Sequence, residues 1–116
     1  MADLQDEIKA EIADNTILVY GKGTKDAPRC GFTLETIQFF NAFGYPFEVV
    51  DVLENMPKRE ALSKMTDWNT LPKVFIGGEF YGDTDILGPM AQSGELAKLL
   101  EKAFEGKGVT PTIQLR

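Results

Sequence analysis

Cys30 is the only cysteine in the chain, and the chain contains no histidine. Those two facts bound the chemistry. Ser-His-Asp and Cys-His catalysis and imidazole metal sites are excluded. So are an internal disulfide, a CxxC redox pair and a four-cysteine metal site within one chain. Any redox or metal chemistry at Cys30 therefore needs a second thiol from elsewhere. Cys30 follows a polar loop, Gly21 to Arg29, that holds Gly23 and Pro28, and it precedes a helical pattern. That junction is where unpaired backbone N–H groups of a helix start point outward. The helix dipole, Lys22 and Arg29 all favour a thiolate there. Gly31 leaves the backbone beside the sulfur uncluttered, and Thr33 offers a cap or a hydroxyl. The alternative is a lone cysteine acting as a small buried apolar residue.

The elements that must position this sulfur are legible in the pattern. Leu4, Ile8 and Ile12 recur every four residues and predict a short first helix. Thr16 to Tyr20 is a β-branched run ending at Gly21, which reads as a buried strand. From Thr33, Leu34, Ile37, Phe40 and Phe43 predict a helix that Gly44 stops. Phe47 to Val52 alternates as a second strand, and Pro57 opens a short helix through Met65. Lys73 to Ile76 is a third strand, joined by Gly77-Gly78 to Glu79-Phe80-Tyr81 as a hairpin. Leu96, Leu99, Leu100 and Phe104 mark a last helix. The order is α-β-α-β-α-β-β-α, a β-α-β start followed by an antiparallel addition. It predicts an α/β, thioredoxin-like layout, a four-stranded mixed sheet flanked by helices. One domain is expected over residues 1–105, with 106–116 a flexible tail.

The 116 residues carry 43% hydrophobic and 26% charged residues and a formal charge of −6. Such an acidic chain lacks the basic footprint that nucleic acid requires. No apolar run is long enough for a bilayer. The acidic N-terminus, with Asp3, Asp6, Glu7, Glu11 and Asp14 against Lys9, is unlike a basic presequence and reads as a mature start. With one unpaired cysteine, the expected location is the cytoplasm, or an organelle matrix if a presequence has been removed.

Four blocks recur in a known order: KGT (Lys22 to Thr24), PRCGFT (Pro28 to Thr33), WNTLP (Trp68 to Pro72) and GDTD (Gly82 to Asp85). Together they resemble the monothiol glutaredoxins over nearly the whole chain, from about Asp6 to Phe104. The resemblance implies a glutaredoxin fold, glutathione at Cys30, and a [2Fe–2S] cluster shared between two subunits. The ligand count agrees: such a cluster takes four ligands, usually thiolates. Two chains supply two, and two glutathiones complete the set.

The same resemblance assigns the site. Lys22 and Arg59 match the residues that bind the glycyl carboxylate, a task a planar guanidinium suits; each alone would read as a solvated surface cation. Thr70-Leu71-Pro72 matches a motif with a cis proline, which turns the Leu71 peptide groups toward the glutathione backbone; the alternative is a trans proline opening a strand. Thr84 and Asp85 match a Cys-Asp pair that holds the γ-glutamyl end, with backbone N–H groups on its carboxylate and the Asp85 side chain on its amine. Asp85 could also be a plain N-cap. Two departures stand out. Thr33 replaces the usual serine, and Asp83-Thr84 replaces Gly-Cys, setting a charge near the γ-glutamyl carboxylate and removing a second cysteine. Trp68 reads as core, while Phe32 is open to either packing or a partner-facing role.

These features imply an iron–sulfur carrier: Cys30 ligates a cluster bridging a homodimer, for delivery to apo iron–sulfur proteins, with BolA-like proteins as heterodimer partners. The alternative is a glutathione-dependent monothiol oxidoreductase, in which Cys30 deglutathionylates protein mixed disulfides. Enzyme activity is at most weak on this reading.

Overall fold

Five consecutive buried residues, Ile17–Gly21, form the central strand β1. In the computed structural model, which describes residues 3–112, β1 lies between β2 (Glu48–Asp51) and β3 (Lys73–Ile76), and β4 (Glu79–Gly82) closes the other edge. The order is β2-β1-β3-β4, with β1 parallel to β2 and antiparallel to β3, and β3 antiparallel to β4. This is the expected thioredoxin-like glutaredoxin architecture.

Alternation along the strands divides the core between two faces. Ile17, Val19, Val74 and Ile76 pack with Ile37, Phe40, Leu87, Leu96, Leu100 and Phe104 from α2 (Gly31–Phe43), α4 (Thr84–Ser93), α5 (Glu95–Ala103) and its C-cap. Leu18, Tyr20 and Phe75 pack with Ile8 and Leu62 from α1 (Leu4–Asp14) and α3 (Met56–Thr66). Burying a Leu, Ile or Phe side chain contributes about 1.5–3 kcal/mol, so both faces hold their helices firmly.

Three expectations are corrected. The helix after the cysteine begins at Gly31, not Thr33, and its buried stripe is Thr33, Thr36, Ile37 and Phe40; Leu34 is exposed. The two threonines are interior because their hydroxyls find partners: Thr36 Oγ1 donates to Phe32 O at 2.9 Å, and Thr33 Oγ1 accepts from Lys22 N at 3.1 Å. The single last helix is two, α4 and α5, separated at Gly94 with φ of 84°. Asp83, not Asp85, is the N-cap of α4.

Lys58 is 4% exposed, yet it is a lysine. Its Nζ meets Glu11 Oε2 at 2.8 Å and Glu7 Oε1 at 3.6 Å, and Glu11 Oε1 accepts from Tyr20 Oη at 2.7 Å. That cluster ties α1 to α3 over β1. Near the C-terminus, Val109 packs on the core and the Thr112 N–H donates to Gly44 O at 2.9 Å. Residues 113–116 of the expected tail lie outside the described residues. No helix among the described residues is long and apolar enough to cross a membrane.

Candidate functional site

Cys30 is the N-cap of α2, in extended conformation and partly exposed. Helix α2 starts there because the chain leaves β1 through a braced loop. Arg29 N–H donates to Lys22 O at 2.8 Å, Thr24 and Ala27 exchange backbone bonds, and Gly23 bridges to Pro28. The Asp51 carboxylate at the end of β2 accepts from Leu53 N–H and Gly23 N–H, both at 2.9 Å, which holds its pKa below the usual carboxylate value. Thr33 sits directly against β1: a Cβ on Gly21 would lie 2.9 Å from its methyl and 3.0 Å from its hydroxyl. The methyl that distinguishes Thr33 from serine therefore fills the space above Gly21.

The Cys30 thiol is shifted toward its thiolate form. The backbone N–H of Thr33 is the leading cause, helped by the Phe32 N–H, the Lys22 charge and the Thr33 hydroxyl, and opposed by partial burial. These are the free donors of a helix start acting on an anion. Of the two nearby cations, Lys22 acts on the sulfur, whereas Arg29 acts on Asp51.

Cys30 opens into a cleft of about 610 Å³. Lys22, Arg59, Leu71, Thr84 and Asp85 all line it, so the six sequence-assigned residues, spread from 22 to 85, converge on one surface. Arg59 Nη1 donates to Leu53 O at 3.1 Å, which anchors the guanidinium at the cleft wall. The Leu71–Pro72 bond is cis. Trp68, read as core, is half-buried: its ring packs edge-on against Phe80 while lining the cleft. Phe32 is 68% exposed at the cleft margin.

Sequence reasoning missed Glu35 and Asn69, which also line the cleft. Glu35 Oε1 accepts from Thr84 Oγ1 at 2.9 Å, joining α2 to the start of α4. The signal was the i, i+3 spacing of Phe32 and Glu35, which places both on one helix face. Asp83 turns its carboxylate onto the start of α4, where its Oδ1 accepts from Asp85 N–H at 2.9 Å. One of the two backbone donors assigned to an incoming carboxylate is thus already engaged by the chain's own side chain. The lining is polarised, with Lys22 and Arg59 as cations and Glu35, Asp83 and Asp85 as acids. No group of three or more His, Cys, Asp or Glu residues able to hold a metal ion occurs among the described residues. Cys30, the sole cysteine of the chain, can contribute one thiolate to a metal centre.

Comparison with known proteins fits this geometry. The family model described as Glutaredoxin matches residues 17–81. A ycf64-like monothiol glutaredoxin of Synechocystis is 40% identical over 93 residues, covering 80% of this chain and 87% of that protein. Glutaredoxin 4 of Buchnera aphidicola from Acyrthosiphon pisum is 43% identical over 96 residues, covering 83% and 89%. The solution structure of reduced poplar apo GrxS14 superposes with a TM-score of 0.78 at 37% identity, over 87% of this chain and 93% of that one.

Proposed function

The chain belongs to the glutaredoxin family, in its monothiol branch, and we propose that it binds glutathione beside Cys30 and carries a [2Fe–2S] cluster between two copies of itself, for delivery to apo iron–sulfur proteins. The observation that carries this reading is a lone thiolate-favouring cysteine, partly exposed at a cleft, in a chain without histidine. One thiolate is a quarter of the ligand set of such a cluster. A second copy and two glutathione thiolates make up the remainder, and the exposed Phe32 beside the cleft leaves room for apposition.

The lining residues suit the tripeptide. Lys22 and Arg59 would take the glycyl carboxylate, Leu71 the peptide backbone, and Thr84 and Asp85 the γ-glutamyl end. Asp83 weakens that last contact, since it must give up the Asp85 N–H before a ligand carboxylate can accept it. The cluster, when bound, supplies a transferable iron–sulfur unit. Cys30 contributes its thiolate without a second cysteine to re-form a disulfide, and the borrowed glutathiones can be replaced by an acceptor's thiolates without unfolding the protein. A BolA-like partner would stand in for the second copy.

The depressed Cys30 thiol supports a second reading. Its thiolate would attack the glutathione sulfur of a protein mixed disulfide, release the protein thiol and leave Cys30 glutathionylated. A second glutathione thiolate would then regenerate Cys30 and leave as glutathione disulfide.

Anaerobic reconstitution with iron, sulfide and glutathione separates the two. The carrier reading expects visible absorbance that needs both Cys30 and glutathione, with elution at dimer size. Colour that persists in Cys30→Ser, or in a monomer stripped of small thiols, overturns it; turnover of a mixed disulfide without cluster uptake favours the second reading.

A further inference from the structure

Lys73 opens β3 directly behind Pro72, and it is 1% exposed. A lysine so deeply placed normally has a carboxylate partner. Among the described residues Lys73 has none within ion-pair distance. Its Nζ instead donates to two main-chain oxygens of the preceding loop, Trp68 O and Thr70 O, the latter at 2.9 Å. Outside helices and strands, no backbone–backbone hydrogen bond involves residues 68–72 among the described residues. The loop's inward-facing carbonyls are thus held chiefly by a side chain, with Thr66 Oγ1 a weaker donor to Trp68 O at 3.4 Å. Trp68 and Thr70, together with Leu71, line the Cys30 cleft.

We propose that Lys73 is the positioning residue of the cleft's 68–72 wall: its buried ammonium holds the Trp68 and Thr70 carbonyls inward and so fixes Leu71 for the ligand. The ligand part rests on the glutathione reading above; the loop part does not. The charge is what makes this hold strong, because hydrogen bonds from an ionised donor are about twice as strong as neutral ones. Burial, and secondarily the Arg59 charge, bring the Lys73 pKa down to about 8. The other titratable groups facing it are Arg59 and Glu60 from α3, and Tyr20 across the β1 register. Tyr20 is raised well above its ordinary value by burial and by Glu11, so it stays neutral over this range. The wall therefore loosens as pH rises through about 8 and Lys73 becomes a neutral amine.

Trp68 is the only tryptophan, so its fluorescence reports on this loop directly. The experiment uses the full chain in a Cys30→Ser background, which removes the thiol titration. The expected result is a fluorescence transition near pH 8 without ligand, absent in both Lys73→Met and Lys73→Gln. Lys73→Gln keeps amide donors without charge and covers the case in which Lys73→Met does not fold. A transition retained in the folded variants, or missing in the parent, overturns the proposal. Calorimetric titration with S-methylglutathione is expected to show about fivefold weaker binding in Lys73→Met at pH 7, with the gap narrowing by pH 9.5. Equal affinities, or a gap independent of pH, overturn the ligand part. No binding to the parent refutes the glutathione reading itself, while the fluorescence result still decides the loop.

Discussion

Replacing Glu11 by Gln removes the main counter-charge of a buried lysine, and the cost can be worked from the contacts. Lys58 is left with Glu7 at 3.6 Å, whose side chain is 54% exposed, in place of Glu11 at 2.8 Å. The Tyr20 hydroxyl keeps an acceptor, but a neutral one. Breaking a fully buried ion pair costs about 3–5 kcal/mol. The Glu11 side chain is 26% exposed, so water screens part of that, and about 2–3 kcal/mol is expected. For 116 residues the melting entropy is on the order of 0.24 kcal/mol/K, which turns that loss into a fall in Tm of roughly 10 °C. Lys58→Met keeps the aliphatic stem and leaves a partly hydrated carboxylate, at a cost of about 1–1.5 kcal/mol. The double variant Glu11→Gln/Lys58→Met has no orphaned charge. It should be more stable than the sum of the singles by about 1.5 kcal/mol. Urea denaturation followed by far-UV circular dichroism measures all three. Additivity within about 0.3 kcal/mol would refute the coupling, and with it the view that the Glu11–Lys58 pair adds to the apolar packing of α1 on α3.

Two further perturbations test the site and the C-terminal segment. Lys22→Gln withdraws a cation that favours the Cys30 thiolate, so the midpoint of the pH–rate profile for iodoacetamide alkylation moves up and the rate at pH 7 falls roughly twofold; an unmoved or lowered midpoint contradicts this. Gly44→Ala meets two obstacles, a left-handed φ of 79° and a Cβ that would lie 2.1 Å from Thr112 O. The expected loss is about 2–3 kcal/mol in denaturation, with faster hydrogen exchange at the Thr112 amide, and unchanged exchange there would show that the segment is not held by this contact.

Much of the fold could be read from local rules. The run Thr16 to Tyr20, the Gly77-Gly78 turn and the stop at Gly44 are signals carried by neighbours in sequence, and each element formed where they said. The last helix was misread because the Leu96, Leu99, Leu100, Phe104 stripe is strong, while Thr84–Ser93 contains Gly88 and Pro89 and buries only Leu87 fully. Leu34 shares the apolar spacing of Ile37 and Phe40 yet is exposed, because spacing cannot reveal that Thr33 and Thr36 have partners for their hydroxyls and take the buried positions.

The amino-acid sequence by itself determined the stoichiometry of any chemistry: one thiol, no imidazole, and a thiol at a strand-to-helix junction. It also placed the blocks that meet at the cleft, because they carry the family's pattern. Only the tertiary structure decided which partners the charged side chains meet and that Lys58 and Lys73 are interior. Lys58 meets Glu11 from 47 residues away, and Thr84 meets Glu35 from 49 away. Lys73 trades a carboxylate for two carbonyls, and Asp83 turns its own carboxylate onto the start of α4. Helix and strand signals reach only about four residues along the chain, whereas a buried charge is stabilised by whatever the fold brings within about 4 Å of it.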